Sequence, residues 1–142
     1  MIDDDAYHEL TAYTLARNDV AFIHQHVVDT YAVQSATPAD KPIRLAQALV
    51  GLYLHVEHGF TGRQVQRVHQ LLANQRPTWP AFMLPDGRGA MTVRDVVDVP
   101  PGEGRDEAIE RWARSTWAAC GDLRDRVAAL LASHAITVPD EP

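Results

Sequence analysis

Apolar residues recur every three or four positions along three stretches of the chain, which is the spacing expected for one buried face of an α-helix. The stretches are 19–33, 40–59 and 61–73. Because polar residues occupy most of the positions between the apolar ones, all three are predicted to be amphipathic helices. Their apolar stripes consist of Val20, Ile23, Val27, Val28 and Tyr31, then Leu45, Ala48, Leu49, Leu52 and Val56, then Val65, Val68, Leu71 and Leu72.

Residues that favour helix ends mark the limits of these stretches. Asn18 is predicted to be the N-cap of a helix that starts at Asp19, since its short side chain can accept a hydrogen bond from the first turn. Gly59 suits the left-handed conformation in which many helices end. Thr61 and Gln64 have the spacing of a capping box at the start of the third helix.

Helices are also predicted towards both ends of the chain. Residues 6–17 carry apolar side chains among polar ones, and residues 105–134 place their apolar side chains on one face. Gly121 lies inside the second range and is predicted to kink or split that helix.

Residues 74–104 follow no helical pattern, because prolines and glycines recur through them. Two structures are open for their second half: a small hairpin of 81–84 with 90–93, or a short helix capped by Thr92, and the helix is favoured. Apolar side chains predict that this segment is a flap packed on the bundle. The sequence therefore predicts one all-α domain over residues 1–142, a compact bundle of five or six helices with a Pro/Gly-rich flap.

Composition and charge narrow the class of protein. With 142 residues, 46% of them hydrophobic, the chain can form one self-sufficient core. Nineteen acidic against thirteen basic residues give a formal charge of −6, which disfavours nucleic-acid and anionic-membrane partners because both attract positive surfaces. The single cysteine excludes an internal disulfide. No apolar run reaches the roughly 20 residues of a membrane span, and the start is acidic, so a cytoplasmic protein is expected.

Histidines are the most informative polar residues, and the chain has seven of them. His24, His55 and His69 each lie on the apolar stripe of a different predicted helix, so three imidazoles are expected to face one interior. Metal sites in helical bundles are built from side chains on facing helices, and neutral imidazole binds zinc and related divalent metals. Asp29 and Glu57 are the nearest candidate carboxylate ligands. These five residues form the predicted metal site.

The alternative interpretation of these histidines is structural. A histidine on an apolar stripe often hydrogen-bonds a backbone carbonyl in the core and then binds no ligand. His26 and His58 fall beside the stripes and are predicted to be solvated. Because the spacing matches no established metal-binding motif, the histidine pattern alone leaves both interpretations open.

Four blocks of this sequence resemble a bacterial family of small helical proteins of unknown function, DUF5946. The blocks are 28–34 (VDTYAVQ), 76–80 (RPTWP), 89–96 (GAMTVRDV) and 112–117 (WARSTW). The resemblance implies a shared structural plan, and it implies no activity, substrate or catalytic residue. Longer members are expected to carry an added Cys-rich, zinc-knuckle-like N-terminal segment that has no counterpart here. The residues that the plan includes are Asp29, Tyr31, Gln34 and Trp79.

Two functions follow as hypotheses. The first is binding of a divalent metal or a small-molecule ligand through the inward histidines; for an enzyme, metal-assisted hydrolysis or thiol transfer is then the natural reaction class. The second is a non-catalytic interaction module, for instance a homodimer, that uses Trp79, Phe82 and Met83 of the flap. Exposure of Trp79 and Phe82 would favour the second function, and packing of these rings over the histidines would favour the first.

Overall fold

The computed structural model describes residues 3–137, in which the chain forms seven α-helices, one short 3₁₀ helix and no β-strand. The predicted all-α fold is therefore confirmed. No helix in this range is both long and apolar enough to cross a membrane. The helices are α1 (Asp4–Arg17), α2 (His24–Gln34), α3 (Pro42–His58), α4 (Gly62–Asn74), α5 (Val93–Val97), α6 (Glu103–Ala119) and α7 (Arg124–Ser133), with the 3₁₀ helix at Gly121–Leu123.

Helix α3 is the central helix of the bundle. It contacts α2, α4, α6 and α7, and eight of its seventeen residues are buried. A helix that is apolar around most of its circumference requires such neighbours on several sides. Leu49, Leu52 and Leu54 of α3 form the middle of the larger core cluster, which α4, α7 and the flap residue Phe82 complete.

A second core cluster lies between α1, α2, α5 and α6. Leu10 of α1, Ile109 and Trp112 of α6 are fully buried there. Helix α2 belongs to both clusters, because Val27 packs in this one and Val33 packs in the larger one. The two cores are thus joined through α2.

The start of α2 corrects the sequence prediction. Asn18 is the C-cap of α1 in the left-handed conformation, with φ of 48°, and α2 begins only at His24. Val20, predicted as a stripe residue, is 95% exposed. The prediction was wrong because asparagine is favoured both as an N-cap and in the left-handed conformation at a helix end, and here the second preference applies.

Two predictions for the second half of the chain are confirmed. The short helix α5 follows Thr92, whose side chain forms a capping box with Asp95, and no hairpin is present within residues 3–137. Gly121 splits the last predicted helix into α6 and α7. This split raises the number of helices above the five or six that were predicted.

Gln34 joins three of the four sequence blocks that carry the family resemblance. Its Nε2 donates to the backbone carbonyls of Arg88 at 3.1 Å and Met91 at 2.7 Å. Its Oε1 accepts a hydrogen bond of 2.8 Å from the indole Nε1 of Trp112. Gln34 is 1% exposed, and every polar atom of its side chain has a hydrogen-bond partner. These bonds link α2 to the flap and to α6.

Candidate functional site

Two histidines stack against each other where α2, α3 and α6 meet. The ring centroids of His26 and His55 are 3.4 Å apart, and the ring planes are inclined by 15°. His26, in the first turn of α2, is 4% exposed, and the side chain of His55, in the last turn of α3, is 13% exposed. Two neighbouring helices thus bring two imidazoles into contact inside the bundle.

Glu110 of α6 completes a group that we name the His26–His55–Glu110 cluster. The Nε2 atom of His55 lies 2.9 and 3.0 Å from the two carboxylate oxygens of Glu110, and its Nδ1 lies 2.8 Å from the backbone oxygen of Phe60. A carbonyl oxygen accepts hydrogen bonds, so Nδ1 donates to Phe60. In this arrangement His55 is held at both ring nitrogens, by Phe60 on one side and Glu110 on the other.

Burial and the neighbouring groups together determine the charge of the other two members. Desolvation, together with the neighbouring His55, lowers the pKa of His26 to about 3, so this imidazole is neutral at physiological pH. Its Nδ1 is buried without a hydrogen-bond partner in the described part of the chain. Burial opposes the ionisation of Glu110, but the hydrogen bond and the charge of His55 outweigh it, and the pKa of Glu110 lies below its ordinary value.

These three side chains are of types that bind metals or move protons, but in their present positions they do not form a metal site. His26 contributes a neutral imidazole with an unused ring nitrogen, and Glu110 contributes an ionised carboxylate whose side chain is 38% exposed. The exposed carboxylate connects the cluster with solvent. Three helices thus offer two imidazoles and a carboxylate, which are ligand types of zinc, iron and other transition metals.

The five residues of the predicted metal site lie in different places. The Nδ1 atom of His24 is 2.9 Å from the hydroxyl of Thr14 on α1. His69 donates from Nε2 to the backbone oxygen of Gln47 at 2.7 Å, as the structural interpretation of the histidines anticipated. Burial lowers the pKa of His24 and of His69. Of the three predicted histidines, His55 is the one that enters the cluster.

The two predicted carboxylates also have their own surroundings. Glu57 accepts hydrogen bonds from Trp117 at 2.7 Å and from Arg124 at 2.6 Å. Asp29 is buried, and this burial raises its pKa well above the ordinary value. Asp29 and His69 line the same cavity, so the structure does bring these two together. In residues 3–137 no group of three or more His, Cys, Asp or Glu side chains has an arrangement that could hold a metal ion.

The sequence was compared with family models, with curated proteins and with solved structures. The model of a family of unknown function, DUF5946, matches residues 4–121, a range that contains all three helices of the cluster. The chain belongs to this family. Comparisons with curated proteins and with solved structures give no match. The resemblance inferred from the four sequence blocks is confirmed, while the family itself carries no assigned activity.

Sequence reasoning missed two members of the cluster in this DUF5946 protein. His26 was predicted to be solvated, which is wrong because eight of the eleven residues of α2 are buried and no single stripe defines its interior. A usable signal is the row of polar residues His26, Thr30 and Gln34 at intervals of four, all of which are buried. Glu110 gave no such signal, since it lies in a charged stretch of α6.

The flap of the DUF5946 protein packs inward with its aromatic rings. Phe82 is 9% exposed, Trp79 packs against the larger core, and the guanidinium of Arg126 lies 4.8 Å from the centre of the Phe82 ring. Phe82 is therefore buried in the bundle, and Trp79 is half-buried against it. Met83, at 85% exposure, is the member of the predicted contact surface that faces solvent.

Proposed function

We propose that this DUF5946 protein binds a divalent metal ion, with zinc as the first candidate, through His26, His55 and Glu110. The supporting observation is the buried Nδ1 of His26, which has no hydrogen-bond partner in residues 3–137 and belongs to a ring stacked on His55. Leaving a buried polar atom without a partner costs about 1–3 kcal/mol. A metal ion bound by this imidazole would remove that cost.

The donor types favour zinc over magnesium and calcium. Two imidazole nitrogens and one carboxylate form a ligand set of catalytic zinc sites, in which a fourth position stays open for water or substrate. Magnesium and calcium prefer sites made of oxygen ligands. A zinc ion with an open position lowers the pKa of bound water or of a bound thiol, which keeps hydrolysis and thiol transfer as the reaction classes to assay.

Metal binding in this cluster competes with protons. Nε2 of His55 is in hydrogen-bond contact with Glu110, and a ring nitrogen binds a metal only in its unprotonated form. Glu110 must then turn from His55 towards the ion. Because the side chains of His26, His55 and Glu110 are not arranged to hold an ion, we expect them to rotate when the metal binds. Binding is also expected to release protons.

Elemental analysis and titration calorimetry of tag-free protein test the proposal. We expect close to one zinc ion per chain after loading and desalting. Because each variant removes a ligand, Glu110→Gln and His55→Gln are expected to weaken zinc binding by at least about tenfold. Titrations in two buffers with different ionisation enthalpies should also reveal the released protons.

Two variants outside the cluster provide matched controls. His69→Gln and Glu57→Gln change the same residue types, but their side chains bind Gln47, Trp117 and Arg124 instead. Both are expected to bind zinc as the wild-type protein does. Absence of zinc from loaded wild-type protein would overturn the proposal, and equal binding by the wild type and all four variants would place the metal elsewhere.

The exposure of Met83 supports a second hypothesis, self-association through the flap. A side chain of this type at 85% exposure is a candidate contact, although its neighbours Trp79 and Phe82 pack inward. Analytical ultracentrifugation of the wild type and of Met83→Ser tests this hypothesis. A dimer that dissociates in the variant supports self-association, and a monomer at high micromolar concentration contradicts it.

A further inference from the structure

A groove of about 550 Å³ lies between α4 and the residues that follow α7. One wall is α4 together with Phe60, and the other consists of residues 134–137; we name this feature the α4 groove. Nε2 of Gln75 donates to the backbone oxygen of His134 at 2.9 Å, which joins the two walls. The volume falls in the range of about 300–1,000 Å³ that is usual for small-molecule sites.

Apolar side chains line part of the α4 groove and remain within reach of a ligand. Leu71, which the sequence pattern placed on a core-facing stripe, is 47% exposed. Phe60 and Ile136 are half-buried, each packed with one side against the larger core. An apolar ligand that covers these side chains would remove both surfaces from water, which is favourable.

The charged residues of the α4 groove are arginines. Arg63 and Arg67 are exposed and form no ion pair within residues 3–137. None of the eleven described residues that line the groove is acidic. Among the seven described helices, α4 is also the one without Asp or Glu, in a chain whose formal charge is −6. The groove is therefore a positive region on an acidic protein, and such a region attracts anions.

The two arginines are placed to contact one anionic group. They are four residues apart on α4, a spacing at which side chains of a helix are neighbours. The guanidinium carbon of Arg63 lies 4.2 Å from the centre of the Phe22 ring, and this stacking restricts its orientation. Because a guanidinium binds a carboxylate through two parallel hydrogen bonds, the pair suits a carboxylate.

The size of the groove favours a small molecule over a protein partner. Protein–protein interfaces usually involve about 20–30 residues on each side, whereas eleven described residues line the groove. A matching ligand needs a negative group for the arginines and an apolar chain for the exposed apolar side chains beside them.

We propose that the α4 groove binds a single-chain amphiphile with a carboxylate head group, of the size of a medium-chain fatty acid. The carboxylate contacts Arg63 and Arg67, and the alkyl chain lies on Phe60, Leu71 and Ile136. This binding function goes beyond the metal site and does not depend on it, because no member of the His26–His55–Glu110 cluster lines the groove.

NMR titrations of the isotope-labelled, full-length protein test the ligand class. Octanoate is compared with 1-octanol and octylammonium, which have the same chain length without a negative charge. We expect octanoate to bind at least about fivefold more tightly than either, since neither can pair with a guanidinium. Amide shifts should concentrate in residues 60–75 and 134–137. Absence of saturable octanoate binding, or equal binding of octylammonium, would overturn the proposal.

The alkyl chain is tested with shorter carboxylates. We expect the affinity to increase about threefold or more from butanoate to hexanoate and again to octanoate, because each step adds two methylene groups over a partly exposed apolar surface. Equal affinities of the three carboxylates would contradict the contact between the chain and the groove.

Variants at exposed positions assign the two ends of the ligand. Arg63→Gln and Arg67→Gln are each expected to lower the affinity for octanoate by about threefold or more and to leave that for 1-octanol unchanged. Leu71→Ser should weaken both probes. Arg111→Gln, at an exposed position of α6 outside the groove, makes the same change of charge and should bind octanoate as the wild type does. An equal loss in Arg111→Gln would reveal a general effect of charge and contradict the assigned site.

A further variant tests a competing occupant of the groove within the same chain. Asp140 and Glu141 follow Thr137 in the sequence and lie outside the described residues. We expect the double variant Asp140→Asn/Glu141→Gln to bind octanoate as the wild type does. Octanoate binding by the double variant alone would assign the groove to these acidic residues and overturn the proposal.

Discussion

At the scale of single residues, Gly51 is a helix position at which alanine is expected to be less stable than glycine. Replacing glycine by alanine inside a helix usually stabilises a protein by roughly 1 kcal/mol. We expect Gly51→Ala to destabilise by about 1–3 kcal/mol, as overpacked positions do, since the new Cβ would lie 1.9 Å from Asp29 Oδ2. Urea unfolding measures the change. Asp29→Ala clears the space, so the double variant should recover part of the loss, and strictly additive effects would contradict the steric explanation.

Asp29 is also expected to make stability depend on pH. Its pKa in the folded state is raised by burial above the ordinary value of 3.8, so the unfolded chain releases this proton first as pH increases. The contribution to stability is therefore full below about pH 4 and declines as pH rises towards the folded pKa. We therefore expect the free energy of unfolding of the wild type to fall relative to that of Asp29→Asn as pH increases from 4.5 to 8. A constant difference between the two proteins across this range would refute the assignment.

At the scale of elements, the hydrogen bonds of Gln34 between α2, α6 and the flap are expected to contribute strongly to stability. Gln34→Leu leaves the indole N–H of Trp112 and the carbonyls of Arg88 and Met91 without their partner. Each such group costs about 1–3 kcal/mol when buried, so we expect a destabilisation of at least about 2 kcal/mol in urea unfolding. Hydrogen exchange should accelerate in the flap first, because Gln34 fastens it. The control is Gln70→Leu, because Gln70 is exposed on α4. If both variants changed the free energy of unfolding by the same small amount, the proposed role of Gln34 would be contradicted.

Helix ends could be predicted from the sequence, whereas the packing of one helix against another could not. The Thr61 capping box and the stop at Gly59, with φ of 69°, were predicted because both depend on a few adjacent residues. The start of α2 was mistaken because Asn18 suits two kinds of helix end. Periodicity gives the faces of a helix but not its neighbours, so it could not show that α6 covers the His26 side of α2 or that Glu110 meets His55.

At the scale of the whole molecule, the proposed metal site lies where the two cores are joined. Helix α2 packs Val27 into one core and Val33 into the other, so a metal ion that ties α2 to α3 and α6 should stabilise both. A ligand that binds only the folded chain adds about 2.7 kcal/mol at a concentration of 100 Kd. We expect zinc to raise the unfolding temperature of the wild type and of Glu57→Gln in one cooperative transition, and to leave that of Glu110→Gln nearly unchanged. The rise should be larger at pH 8 than at pH 6, because protons compete with zinc for imidazole nitrogens. Calorimetric scans of the three proteins with zinc and with a chelator measure these shifts, and an equal rise in Glu110→Gln would show that zinc stabilises the bundle from another place.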